Sequence, residues 1–334
     1  MLKAVYTDNE IGVREKLSNK VKFHLPGLRF NYPLNITLLN MLKNEPDFFR
    51  PDVEIASFFG EFPCSLWNGG RISIGDQCDA AFVQNVVKSI NSVGIPIRYT
   101  YTNPLLDHYD LQDAYCNFCM KVADNGMNEV LVVSPILEEY IRAKYPSFKI
   151  NSSTCKEIRD VDAVNAELEK DYHLVVLDYN FNNKFDLLEK ITKKDKCEIL
   201  VNAICIPNCP RRGEHYRHMA QTERIALENR KLPPEERVSV DDWQCECLAK
   251  NTFYDTWKYP TYISPDAIWE KYVPMGFVNF KLEGRNTNIF SLIDQYAYYL
   301  MKPEKRDEGR LLLTLWLERN KVIGVNKPKR SVWP

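Results

Sequence analysis

Four of the ten cysteines fall in two close pairs in the C-terminal half, Cys205 with Cys209 and Cys245 with Cys247. Thiolates held a few residues apart on a loop suit a soft metal, either zinc or an iron–sulfur cluster. The first pair follows the apolar run Glu198-Ile-Leu-Val-Asn-Ala-Ile and sits in a Pro-broken loop, Cys205-Ile-Pro-Asn-Cys209-Pro-Arg-Arg. That is the layout of a βα unit. It places both thiols at the C-terminal end of a strand, where α/β enzymes keep their chemistry. The other cysteines carry a weaker signal. Cys116-Asn-Phe-Cys119 has redox-motif spacing but lies in a helix-like stretch and reads as core. Cys78, Cys155 and Cys197 read as buried by default, although Cys155 follows a strand end.

The second chemical feature is Gly276-Phe-Val-Asn-Phe-Lys281-Leu-Glu283-Gly284-Arg285. Alternation along a strand sends Lys281, Glu283 and Arg285 to one face, and Gly284 permits a turn. Such a cluster suits a carboxylate or phosphate, with Glu283 orienting Arg285 or Lys281; a surface salt bridge is the plainer reading. After the first Cys pair comes Arg211-Arg212-Gly-Glu-His215-Tyr-Arg217-His218. There Arg212 is a candidate anion holder. His215 and His218 would share a helix face, fit for zinc, for phosphate or simply for solvent. Trp67-Asn-Gly69-Gly70-Arg71 is either a plain turn or an anion-binding loop in which Arg71 takes part. The carboxylates Glu61, Asp178 and Glu283 are candidates for proton transfer or for orienting these arginines.

Such residues need a scaffold that gathers strand ends. Short apolar runs alternate with helical stretches, which indicates parallel βαβ units. Expected strands are Val53–Phe59, Ile95–Tyr101, Glu129–Val133, Phe148–Ser152, Leu174–Asp178, Glu198–Asn202, a weak Pro260–Ile263, and Gly276–Lys281. No Gly-rich phosphate turn follows the first of them, which counts against a dinucleotide-binding open sheet. Most end in Thr, Asn, Ser or Asp, as strands feeding one barrel mouth would. The expectation is an α/β protein of the (β/α)8 TIM-barrel type: an N-terminal extension over 1–50, a barrel over 51–302, and a C-terminal helix with a basic tail over 303–334.

Composition sets outer bounds. The chain of 334 residues is 45% hydrophobic with a formal net charge of −1, so nothing global argues for nucleic acid. The tail Lys327-Pro-Lys329-Arg330 reads as a solvated run. No apolar stretch approaches a membrane span, and the first residues carry no signal-peptide core. A cytoplasmic protein with reduced or metal-bound thiols is expected.

The Gly276–Arg285 strand, followed by the Tyr-containing stretch Phe290-Ser-Leu-Ile-Asp-Gln-Tyr-Ala-Tyr-Tyr, resembles the hallmark of the collagenase-like peptidase family U32. Val53-Glu-Ile-Ala-Ser-Phe-Phe-Gly60-Glu61-Phe-Pro-Cys64-Ser65 is similar to the first strand of its smaller ubiquinone-pathway members. The resemblance spans residues 53–300. It implies a barrel carrying a [4Fe–4S] cluster and a hydroxylation or related redox modification of a small molecule or an RNA, the peptidase label being mostly historical. It also implies that Cys64 joins Cys205, Cys209 and one of Cys245 or Cys247 as ligands. Spacing alone selects both C-terminal pairs instead, and the family uses wider spacing than Cys205-x-x-x-Cys209. Two rivals stay open. One is a zinc-containing barrel hydrolase or isomerase. The other is a non-catalytic barrel with a structural metal that binds a protein partner through its N-terminal extension.

Overall fold

The structure is a computed structural model that describes residues 20–70, 77–239, 242–245, 255–285 and 287–324. Eight parallel strands close a barrel in sequential order. They are β1 (Val21–Pro26), β2 (Val53–Gly60), β3 (Ile97–Tyr101), β4 (Glu129–Val132), β5 (Lys149–Ser152), β6 (Leu174–Val176), β7 (Cys197–Leu200) and β8 (Asn279–Lys281). Helices α1 (Tyr32–Asn44), α2 (Ala80–Ser92), α3 (Ala114–Ala123), α4 (Pro135–Lys144), α5 (Val161–Glu169) and α6 (Phe185–Leu188) follow the first six strands. Then come α7 (Arg212–Asn229), α8 (Pro265–Ala267), α9 (Ile289–Leu300) and α10 (Arg306–Arg319). Asp79, Asp113, Asp160 and Asn288 each accept a backbone N–H at the start of their helix, which fixes where α2, α3, α5 and α9 begin.

Two expectations about the elements change. The barrel's first strand is Val21–Pro26, inside the stretch expected as an extension. It pairs with β2 on one side and β8 on the other, so the described residues before 51 belong to the barrel wall. Pro260–Ile263 is not a strand. It is a turn whose Ile263 N–H donates to Val201 O at 3.0 Å beyond the end of β7. Pro260 has no N–H for a ladder, and the run is too short to pair. At the other end, α10 packs on α9 and α1.

The barrel interior is ionic. Arg98 on β3 is fully buried. Its Nε donates to Glu129 Oε2 on neighbouring β4 at 2.7 Å, and its Nη1 donates to Glu198 on β7, four strands away across the barrel. Its Nη2 lies 3.0 Å from His24 Nδ1 on β1. A guanidinium only donates, so Nδ1 carries the lone pair and the neutral ring holds its proton on Nε2, 3.3 Å from Glu198 Oε2. Burial, and then Arg98, push the His24 pKa down to about 4. Burial alone would raise Glu198 and Glu129; Arg98 and its neighbours overrule it and hold both below the usual carboxylate range. Outward-facing residues alternate with these: Tyr99 donates to Cys119 O on α3 at 3.0 Å.

Removing Arg98 leaves two buried carboxylates without their cation. Arg98→Met should therefore cost about 3–5 kcal/mol, or abolish folding, in denaturant titration. The pH dependence has a definite sign. His24 is harder to protonate folded than unfolded, so its contribution is full above 6.5 and lost as pH falls to about 4, on the order of 3 kcal/mol. The two depressed carboxylates add a further loss below the unfolded value of 4.5. The melting temperature should begin to fall below pH 6.5, and His24→Gln should remove that first phase while leaving the more acidic one.

Candidate active site at the barrel mouth

Above the ionic layer the strand ends surround a cavity of about 50 Å³ whose walls include Phe59, Thr100, Cys155, Lys281, Glu283 and Arg285. Three charged residues expected to converge, Lys281, Glu283 and Arg285, do line one space. Their partners differ from those expected. Arg285 is oriented by Glu61 and Thr100, not by Glu283: its Nη1 donates to Thr100 Oγ1 at 2.9 Å and approaches Glu61 Oε2 at 3.3 Å. Thr100 in turn donates to Glu61. Glu283 accepts from the Ile204 N–H at 2.9 Å, which ties the end of β8 to the residue before Cys205. Lys281 Nζ lies 3.5 Å from Glu198 Oε1 and 4.2 Å from the centre of the Phe59 ring. Burial, and then Arg98 and Arg285, lower its pKa to about 8 against the pull of Glu198.

Helix α7 does not lie along the barrel wall. At its first turn Arg212 is buried, pairs with Asp178 after β6, lies 3.5 Å from Glu157, and covers the Tyr179 ring at 4.7 Å. Eleven residues on, Glu223 accepts from the Gly70 N–H after β2. Arg224 grips Asp110 and the Leu105 carbonyl after β3. Beyond the helix, Arg230 Nη1 donates to Cys64 Sγ at 2.7 Å. Strands β2 and β6 are diametrically opposite, so α7 is a strap from one side of the mouth to the other. Gly70 makes the crossing possible. With φ of +76°, it brings α7 so near that a Cβ would lie 2.2 Å from Met219 O.

Other expected site residues fall elsewhere. Arg212 and Asp178 neutralise one another as the strap's anchor, which removes Arg212 from the anion holders and gives Asp178 the role of orienting an arginine. His215 stacks parallel to Trp243 at 5.2 Å, and His218 meets the same ring, so the shared histidine face is covered by an indole. Arg71 and Cys247 lie outside the described residues. Cys205 and Cys209 interact through their thiols, and burial pushes Cys205 up, with Cys209 and Glu283 adding to the rise. Cys64 sits instead against Arg230, in the left-handed region with φ of 66°. Cys245 rides on a segment docked on the start of α7, where Arg211 Nη1 donates to Gln244 O at 3.2 Å. Among the described residues no three His, Cys, Asp or Glu side chains are grouped to hold a metal ion. Cys205 and Cys209 are thus in contact, and Cys64 lies against Arg230.

Two features escaped the sequence reading. Arg98, Glu129, Glu198 and His24 look like ordinary polar strand residues until the barrel closes. Glu223 sits in a charged helix, and only the Gly69-Gly70 loop hints that a backbone approaches there.

No family model matches the chain. A segment of 106 residues is 28% identical to an uncharacterized protease, MJ1657, of Methanocaldococcus jannaschii, covering 31% of each chain. The match thus spans about a third of that relative. The solved U32 peptidase Mk0906 superposes with a TM-score of 0.47 at 11% identity, covering 79% of this chain and 93% of that one. The Lys281-Leu-Glu283-Gly284-Arg285 segment forms one wall of the mouth, and the Gly60-Glu61 end of β2 faces it through Arg285. Among the described residues no helix is long and apolar enough to cross a membrane.

Glu223 gives the strap a pH dependence. Burial raises its pKa to about 8; the Gly70 and Gly69 N–H groups oppose that, while Glu61 and Asp113 add to it. A raised carboxyl binds its proton more tightly folded than unfolded. Its stabilisation is therefore full below the unfolded value of 4.5 and lost as pH rises through about 8. Wild-type protein should melt at a lower temperature above that pH. Glu223→Gln should flatten this slope and melt higher than wild type on the alkaline side.

Proposed function

We propose that this chain is a U32-like barrel enzyme that modifies a small carboxylate- or phosphate-bearing molecule in the strapped mouth. The observation that carries the reading is Arg285, a guanidinium fixed by Thr100 and Glu61 at the wall of a cavity that Lys281 also lines. A fixed guanidinium presents paired donors to an oxyanion, and the second cation adds attraction in a poorly solvated space. A cavity of about 50 Å³ suits a small molecule. An extended polypeptide would have to displace the strap and its anchors at Asp178 and Asp110. Glu283, on the cavity wall, would hold or move a proton at the bound molecule, and Glu61 would act through Arg285 and Thr100.

The finer reading is an iron–sulfur-dependent hydroxylation or related redox modification, which rests on the family resemblance. Cys205 and Cys209 would supply two thiolates; the resemblance completes the set with Cys64 and one of Cys245 or Cys247, spacing completes it with Cys245 and Cys247, and the Glu283–Ile204 bond would link the thiol loop to the cavity. A bound cluster supplies one-electron chemistry. Zinc on Cys205, Cys209, Cys245 and Cys247 is the alternative favoured by their spacing and would leave the mouth to acid–base chemistry.

Iron, acid-labile sulfide and zinc analysis of protein purified without oxygen separates these. Cys205→Ser and Cys209→Ser should each lose the metal and lower the melting temperature, because metal binding energy is also folding energy. Cys64→Ser should lose the metal if the set implied by the resemblance holds, and keep it if the two C-terminal pairs are the ligands. A Cys205→Ser protein with full metal content and wild-type melting would refute the ligand set. Arg285→Lys should weaken binding of small carboxylates by about 1.5–3 kcal/mol in calorimetry without changing metal content. Unchanged anion affinity would remove Arg285 from the site.

A further inference from the structure

We infer that Lys281 is an amine nucleophile that forms an imine with the carbonyl group of a small oxo acid whose carboxylate is held by Arg285. The inference rests on the anion-binding reading of the mouth and goes beyond it by naming the substrate class and a covalent step.

The geometry supplies three requirements. The first is an amine that is buried yet opens on a cavity. Lys281 is only 8% exposed and its side chain lines the mouth. The second is a setting that favours a neutral amine. Its near neighbours are the face of Phe59 at 4.2 Å and a single carboxylate, Glu198 Oε1, at 3.5 Å. That carboxylate is already engaged by Arg98 and lies close to His24 Nε2. Arg98 and Arg285 both oppose a further positive charge at this point. Desolvation beside other cations is the arrangement that turns a lysine into a nucleophile. The third is a handle that sets a carbonyl against the amine. Arg285 lies four residues beyond Lys281, past the end of β8, lines the same cavity, and has its guanidinium fixed by Thr100. An oxo acid, with a carbonyl next to or one carbon from its carboxylate, carries the two groups that such a pair would take.

The step balances without a further reactant. The Lys281 nitrogen attacks the carbonyl carbon and a C–N bond forms. The carbonyl oxygen leaves as water with the two amine protons, giving the imine. Nothing is oxidised or reduced. Protonated, the imine draws electrons from the adjacent carbon, which is the activation such a linkage gives an oxo acid.

Pyruvate and glyoxylate are the probes, with sodium borohydride to reduce the imine to a stable secondary amine. Intact-mass measurement and peptide mapping of the full chain read the product. The expected result is one adduct per chain, mapped to Lys281 and absent in Lys281→Arg, which keeps the positive charge beside Glu198. The yield should rise through about pH 8, in the field of Glu198, Arg98, Arg285 and Cys155, and not through the 10.5 of a free lysine. Arg285→Lys should lower the yield at limiting pyruvate by at least about tenfold, the change that the loss of a charged hydrogen bond implies. Calorimetry with pyruvate, without borohydride, separates the two ideas. Arg285-dependent binding with no adduct, or with adducts spread over surface lysines, overturns the imine and leaves the anion site standing. An adduct at Lys281 that ignores Arg285 keeps the nucleophile and removes the clamp. Neither binding nor adduct overturns both.

Discussion

Arg98 spans the barrel. From β3 it reaches sideways to Glu129 on β4 and straight across the axis to Glu198 on β7, and it faces His24 on β1. A TIM barrel's inner layers are usually filled by branched apolar side chains. Here one layer is filled by charges, and each must find a partner because water is excluded. The register of the strands follows from this demand. A one-residue slip of β3 would turn Arg98 outward, bring Tyr99 inward, and leave two carboxylates buried without their cation. Asn151 adds a hydrogen bond to Glu129 at 2.9 Å, so β5 is held in the same net. The layer above, which forms the floor of the mouth, inherits its position from this one.

The mouth itself is shaped by the strap. Helix α7 has few buried residues of its own: Arg212 and Glu223, near its two anchors, and Ala220 between them. Its docking depends on polar contacts at two opposite rims more than on apolar burial. An element held this way opens at a lower free energy than the barrel beneath it. A substrate that enters from the C-terminal face must pass α7 or displace it, so the same helix that limits the cavity can admit its occupant. The Gly69-Gly70 turn belongs to this device. It offers N–H groups to Glu223 and lets two backbones meet, which a side chain at Gly70 would prevent.

The legible parts of the sequence were those with an apolar or motif signal. Seven strands stood out as short buried runs, and the Lys281–Arg285 end of β8 announced a charged wall. The first strand did not. Val21-Lys-Phe-His24-Leu-Pro alternates, but Pro26, Pro33, Pro46 and Pro51 break up the stretch around it, and only the pairing with β2 and β8 reveals a wall position. Period-two alternation says which residues share a face and leaves open which face is inside. Arg98, Glu129 and Glu198 were therefore invisible as core. The ligand question divides along the same line. Sequence proximity groups Cys205 with Cys209, which do touch, whereas the motif at the end of β2 adds Cys64, which meets Arg230.

Lys281 stands where the ionic layer and the cavity meet, and this couples them. Glu198 is shared among Arg98, His24 and Lys281. With Lys281 charged, the layer holds two cations against two carboxylates, and the neutral histidine is the balanced state. When Lys281 loses its proton or its charge, one carboxylate is left in excess, and the term by which Lys281 depresses His24 disappears. The proton affinity of His24 must then rise, and that of Lys281 must fall whenever His24 is charged, since the coupling is the same in both directions. The buried layer that fixes the strand register therefore also acts as the electrostatic reservoir for the amine above it. The charges of Glu198 and Arg98, by contrast, act on Lys281 directly and in opposite senses.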